Sequence, residues 1–140
     1  MKTFFLIFLA TLLIGGANFD AVAAPNPTIV KINSCYSLAD QTSTQQNPCP
    51  ADLYTMQGQN VDMSSASSFA AICLLGGVFQ NIDQVPSDYS KCSWSSYLEG
   101  MEGLAGRALI LRDRSTQHHY KWFVQSNTLP VIIFNQATID

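Results

Sequence analysis

The sequence predicts a small α+β domain in which two helices pack on one face of a three- to four-stranded antiparallel sheet, stapled by two disulfides. Three observations carry this expectation. The last third of the chain holds apolar, β-branched and aromatic runs, Arg107–Arg112, His118–Gln125 and Val131–Phe134, separated by polar or Pro-marked connectors. Two upstream stretches, beginning near Ala66 and Trp94, carry apolar residues at helical spacing. Four cysteines, Cys35, Cys49, Cys73 and Cys92, follow a segment with the order of an export signal.

That segment opens the chain. Met1-Lys-Thr is basic, Phe4 to Ile14 is an apolar run, and Ala21-Val-Ala-Ala24 offers small residues before Pro25. This is the n-region, h-region and cleavage-site order of a secretory signal peptide, expected over residues 1–24. The apolar run is shorter than the roughly 20 residues a spanning helix needs, so no stable anchor is expected after cleavage. Residues 25–140 then form one domain, long enough to bury about two-thirds of the surface that its unfolded chain exposes. Its destination is secreted or periplasmic, where disulfides persist. Four cysteines allow three connectivities; Cys35–Cys49 and Cys73–Cys92 are favoured because each closes a short polar loop. Zinc ligation is disfavoured, since no two cysteines have the close spacing of structural zinc sites.

Ile29–Ile32 reads as an edge strand, and the polar stretch Ser34–Pro50 as a surface loop pinned by its bridge. Leu53–Met56 fits either a strand or a turn of helix, with Gly58 ending it. Asp62, Ser64 and Ser65 offer N-cap oxygens before Ala66, Phe69, Ala70, Cys73 and Leu74, and Gly76-Gly77 provides a stop. That first helix is apolar nearly all round, which places it centrally. Residues from Val78 to Tyr89 look irregular. A second helix fits Trp94, Tyr97, Leu98, Met101, Leu104 and Ala105 on one face, with Ser96 and Glu99 as a capping box. Gly100 and Gly103 oppose it, each costing about 1 kcal/mol relative to Ala in a helix.

In the sheet, alternation sorts Tyr120, Trp122 and Val124 from His119, Lys121 and Phe123. The first set is assigned to the core, leaving His119 and Lys121 outward.

Charge excludes some partners. The net charge is −3, so nucleic acid and anionic membranes are not expected as partners. The balance is uneven, however. Pro25–Gly106 holds Lys31 and Lys91 against seven acids, whereas Arg107–Asp140 holds four bases against Asp113 and Asp140.

No catalytic motif, metal set or cofactor signature stands out. Glu99 and Glu102 read as a solvated helix face, and the glycines near Gly103 lack the strand and Lys-Ser/Thr of a phosphate loop. The strongest functional signal is the hairpin cluster Arg112, Arg114, His118, His119, Lys121 and Trp122, which joins positive charge to aromatic surface. Arg and Trp are enriched at binding hot spots because they bury large area and make directed contacts. The expectation is therefore an exported, non-enzymatic binding protein whose partner is a protein or an anionic glycan. Two alternatives remain open. One is a small secreted hydrolase in which His118 or His119 works with Asp113 as general base. The other is a self-assembling component that uses Phe69–Phe79 or a sheet edge.

Overall fold

The computed structural model describes residues 26–31, 33–45, 53–57, 62–65, 71–100, 103–113, 116–128 and 130–140. The expected leader, Cys49, Arg114, Ser115 and Glu102 lie outside the described residues, as does the middle of the first expected helix.

Ten short strands and one turn of 3-10 helix make up the regular structure of these residues: β1 (Thr28–Lys31), β2 (Cys35–Ser37), β3 (Thr42–Thr44), β4 (Leu53–Gln57), β5 (Asp62–Ser65), β6 (Ile72–Leu74), η1 (Ile82–Gln84), β7 (Tyr97–Leu98), β8 (Ala108–Arg112), β9 (His119–Ser126) and β10 (Val131–Thr138). All strand pairs are antiparallel. A principal sheet has the order β1-β10-β9-β8-β6, and a second has the order β3-β2-β4-β5-β7. The fold is thus mostly β rather than α+β. No helix of seven or more residues occurs among the described residues.

Among the described residues, both expected helices give way to strands for identifiable reasons. Around Cys73 the apolar residues are too few and too evenly spread for periodicity to separate a buried strand from a buried helix. Long-range pairing decides it: Ile72, Cys73 and Leu74 lie opposite Leu111, Ile110 and Leu109 of β8. Ser64 and Ser65, read as N-caps, instead lie in β5 against Thr55 and Tyr54. The stretch after Trp94 is broken by Gly100, whose φ of 68° is left-handed. There Ser95 bridges to Ile72, and Tyr97 and Leu98 pair with β5. With Tyr97 and Leu98 in a strand there is no helix start for Ser96 and Glu99 to cap, and Glu99 Oε1 accepts from the Tyr97 hydroxyl at 3.1 Å.

The expected surface loop Ser34–Pro50 is also corrected. Its start is β2, with Tyr36 and Leu38 fully buried. Asn33, at a φ of 60°, turns the chain from β1 of one sheet into β2 of the other. Asparagine tolerates that conformation better than most residues.

The principal sheet is buried on both faces. Toward the second sheet, Leu109, Leu111, Tyr120, Trp122, Val124, Ile132 and Phe134 form the main core. Tyr36 enters from β2 and meets Trp122 and Phe134 edge-on, with ring centroids 5.3 Å away in both cases. On the reverse face Ala108 and Phe123 pack under Ile82 and Val85 of the 75–89 cover. Only one face was expected to be core; the second is hidden because Arg107 and Lys121 anchor the cover by donating to Leu75 O at 3.1 Å and Val85 O at 2.8 Å. Gly106, with φ of 79°, sits where a Cβ would come 3.1 Å from Val78 Cγ1, so the cover can approach closely.

One buried amide ties the two sheets. Gln136 Oε1 accepts from Trp122 Nε1 at 2.8 Å and from the Tyr36 hydroxyl at 3.1 Å, while its Nε2 donates to Leu38 O at 2.7 Å. Both side-chain ends of Gln136 therefore have partners, as a buried amide requires.

Burial pushes the Tyr36 hydroxyl up to about 12, against a smaller lowering from Thr28. Because the folded value exceeds the unfolded one, this contribution is fully present below about pH 10 and is lost as the pH rises toward 12. Tyr36→Phe is expected to cost about 1 kcal/mol at neutral pH, for its bond to Gln136, yet to flatten the alkaline loss. Urea midpoints of the two proteins at pH 9 and pH 11 check this; equal slopes would remove Tyr36 as the titrating group.

Candidate functional site

At the start of β9 the hairpin meets the end of β10 and the loop around the Cys73–Cys92 disulfide. The disulfide positions this loop: Cys73 is buried in β6, so Cys92 brings Tyr89 and Trp94 against the sheet. His119 is the meeting point. Its ring stacks on Tyr89 with centroids 3.8 Å apart and planes 11° from parallel. Trp94 lies tilted at 5.8 Å from the same ring, and the Arg112 guanidinium sits 4.8 Å from the Trp94 centroid. The order Tyr89, His119, Trp94, Arg112 is a continuous ladder of flat groups, with the cation over the face of the best cation–π partner.

Asp140 fixes the ladder from one end. Its carboxylate accepts from the Tyr89 hydroxyl at 2.7 Å, from the His119 main-chain N–H at 2.7 Å and from His119 Nδ1 at 3.0 Å. The Tyr89 hydroxyl and the His119 N–H hold the Asp140 carboxyl below its ordinary value, and the same bond raises Tyr89. His118 Nδ1 donates to the Asp140 main-chain oxygen at 2.7 Å. Both histidines thus carry a proton on Nδ1, and in the neutral ring Nε2 remains an acceptor. The His119 side chain is 12% exposed and that of Asp140 43% exposed.

The six hairpin residues singled out by sequence have different fates. Arg112 and His119 are joined by the ladder, and His118 lies beside it on Asp140. Lys121 is directed to Val85 O, on the covered face. Trp122 has no exposed surface and supports the hairpin from within the core. Arg114 lies outside the described residues. His119 and Lys121, placed outward by alternation, are half-buried beneath the 75–94 segment.

Asp113 bonds to His118 through the main chain, its N–H donating to His118 O at 2.9 Å. It is 2% exposed, and its carboxylate accepts from the Thr116 N–H at 3.2 Å, closing the β8–β9 connector. The carboxylate paired with His119 belongs to Asp140, 21 residues further along. Tyr89, Trp94 and Asp140 were missed because each is remote in sequence from the hairpin. One available signal was Cys92: a bridged cysteine between two aromatics delivers both to wherever its partner lies.

A separate groove of about 430 Å³ runs beside the edge of β6, lined in part by Leu74, Ser93, Ser95, Tyr97, Leu98 and Glu99. Comparison of the chain with protein-family models, with curated proteins and with solved structures finds no match.

Proposed function

We propose that this is an exported, non-enzymatic binding protein that captures an anionic partner, a protein surface or a glycan, at the ladder formed by Arg112, Trp94, His119 and Tyr89. The observation that carries the reading is the ladder itself, four planar groups in succession, with Tyr89 and His119 tied to Asp140 and with Tyr89 and Trp94 carried by a disulfide-tethered loop. Such pre-ordering lowers the entropy lost on binding. Arg112 and the two histidines supply positive or hydrogen-bonding groups, and the rings supply area. Export to a secreted or periplasmic space fits the leader-like start and the disulfide.

The test uses oxidised protein beginning at Pro25, with a sulfated polysaccharide and an acidic peptide as probes. Arg112→Gln combined with His118→Gln is expected to weaken capture by at least tenfold, about 1.4 kcal/mol, at unchanged thermal midpoint. Undiminished capture overturns the site.

A second reading, a small hydrolase, draws on the contact between His119 Nδ1 and Asp140, the orientation that a general base needs. Under that reading His119→Gln lowers turnover of a responsive substrate more than a hundredfold, whereas the binding reading predicts no turnover to lose.

A further inference from the structure

The β6 edge of the principal sheet is only partly closed. The Ala71 carbonyl and the Leu75 N–H bond toward β8, through Arg112 N–H to Ala71 O at 2.9 Å and Leu75 N–H to Ala108 O at 3.0 Å, while the Ala71 N–H reaches Ser95 O at 2.9 Å. Ile72 faces the other way and exchanges both main-chain bonds with Ser95, at 2.9 and 2.8 Å. Backbone groups of an antiparallel strand alternate sides, so Leu74 turns its N–H and C=O outward like Ile72. Continuing the ladder would set Ser93 opposite Leu74. Leu109 of β8 flanks Leu74 on the sheet side, but on the outward side no main-chain partner meets it among the described residues, and the groove opens there.

We infer that this groove is a docking site for an extended peptide segment that pairs with the Leu74 backbone and places a Lys or Arg side chain against Glu99. Three features select that occupant. An outward N–H and C=O on a sheet edge are matched by the main chain of another strand. Leu74, 38% exposed, and Leu98 offer apolar lining for an aliphatic side chain, and Tyr97, 50% exposed, adds an aromatic wall. Glu99 is the one charged residue in the lining among the described residues, and the Tyr97 hydroxyl holds its Oε1 at 3.1 Å, so charge complementarity calls for a cation. The Cys73–Cys92 bridge and the Ile72–Ser95 pair fix both walls, and the groove therefore needs no reordering to receive a strand.

This site is separate from the His119 ladder although one segment serves both: Trp94 goes to the ladder while Ser93 and Ser95 line the groove. The two can therefore fail independently.

The experiment titrates ¹⁵N-labelled oxidised protein with an end-capped hexapeptide of alternating Val and Lys, and with its counterpart carrying Glu for Lys. Amide shifts are expected at Leu74, Ser93, Ser95 and Tyr97, with the Glu-bearing peptide at least tenfold weaker. Glu99→Gln should reduce the preference between the two peptides to less than threefold. Ser93→Trp, at an exposed position, should fill the groove and abolish the shifts while leaving ladder resonances in place. Equal binding of both peptides, shifts confined to other regions, or no shifts at millimolar peptide would each overturn the proposal. So would a concentration-dependent dimer that already protects the Leu74 amide, which would assign the edge to a second copy.

Discussion

Trp122→Ala is expected to lower folding stability by about 4 kcal/mol, within the usual range for deleting a buried large aromatic side chain. Trp122 is fully buried, its ring is stacked on Phe134 with centroids 3.7 Å apart, and Tyr36 meets it edge-on. Truncation opens a cavity between the two sheets and also removes a donor from Gln136. Against a total of roughly 5–15 kcal/mol for a domain of ordinary stability, such a loss leaves the chain close to unfolding. Trp122→Phe separates the terms: it keeps most of the ring volume and deletes the bond from Nε1 to Gln136, so a loss of about 1–2 kcal/mol is expected. Urea unfolding followed by far-ultraviolet circular dichroism measures both. With a slope of about 1–3 kcal/mol per molar urea, the Ala variant should shift the midpoint by roughly 2 M. A shift smaller than about 0.5 M would remove Trp122 from the centre of the core. Loss of partner capture with stability intact would restore it as a surface contact.

The same residue shows how far the sequence can be read. Alternation in β9 correctly gives the core face, because Tyr120, Trp122 and Val124 repeat every second position and the pleat sends them one way. Alternation says nothing about whether the opposite face is covered. Ile82 and Val85 cover it, and no local pattern announces that, because the packing joins residues far apart in sequence. The helix expectations fail for a related reason. Three apolar residues such as Ile72, Cys73 and Leu74 satisfy either period, and strand β8, over 30 residues away, selects between them. In β2 the polar neighbours conceal Tyr36, whose burial depends on rings contributed by β9 and β10.

For the candidate site the legible part was the hairpin chemistry at Arg112, His118 and His119. The illegible part was its complement, Tyr89, Trp94 and Asp140, brought in by a disulfide and by the return of β10. Asp113 looked like the carboxylate for a histidine because it is near in sequence. Its actual bond to the Thr116 N–H is the ordinary work of an Asp at a connector, where a side-chain oxygen satisfies a turn N–H.

Removing the Cys73–Cys92 bridge is the change expected to couple stability to function. The cysteines are 19 residues apart, and on the chain-entropy model closing a loop of that size contributes about 3 kcal/mol. Cys35 is also disulfide-bonded, so reductant alone would confound two effects; the double variant Cys73→Ala with Cys92→Ala isolates this one. Its urea midpoint should fall by less than that of Trp122→Ala, yet capture of the proposed anionic partner should fall further. The difference follows from placement. Trp122 holds the sheets together from the core, whereas Cys92 lies between Tyr89 and Trp94, the two rings that enclose His119. Without the bridge those rings keep the bond from Tyr89 to Asp140 and the contact of Trp94 with Arg112, but lose the covalent tether to β6. Ordering them must then be paid from binding energy, which predicts at least a tenfold loss of affinity in protein that is still folded. The control is Trp122→Phe, which lowers stability without touching the ladder and should bind like the unaltered protein. If the bridgeless variant binds normally at a temperature where it remains folded, the ladder is not the binding surface, whatever its stability.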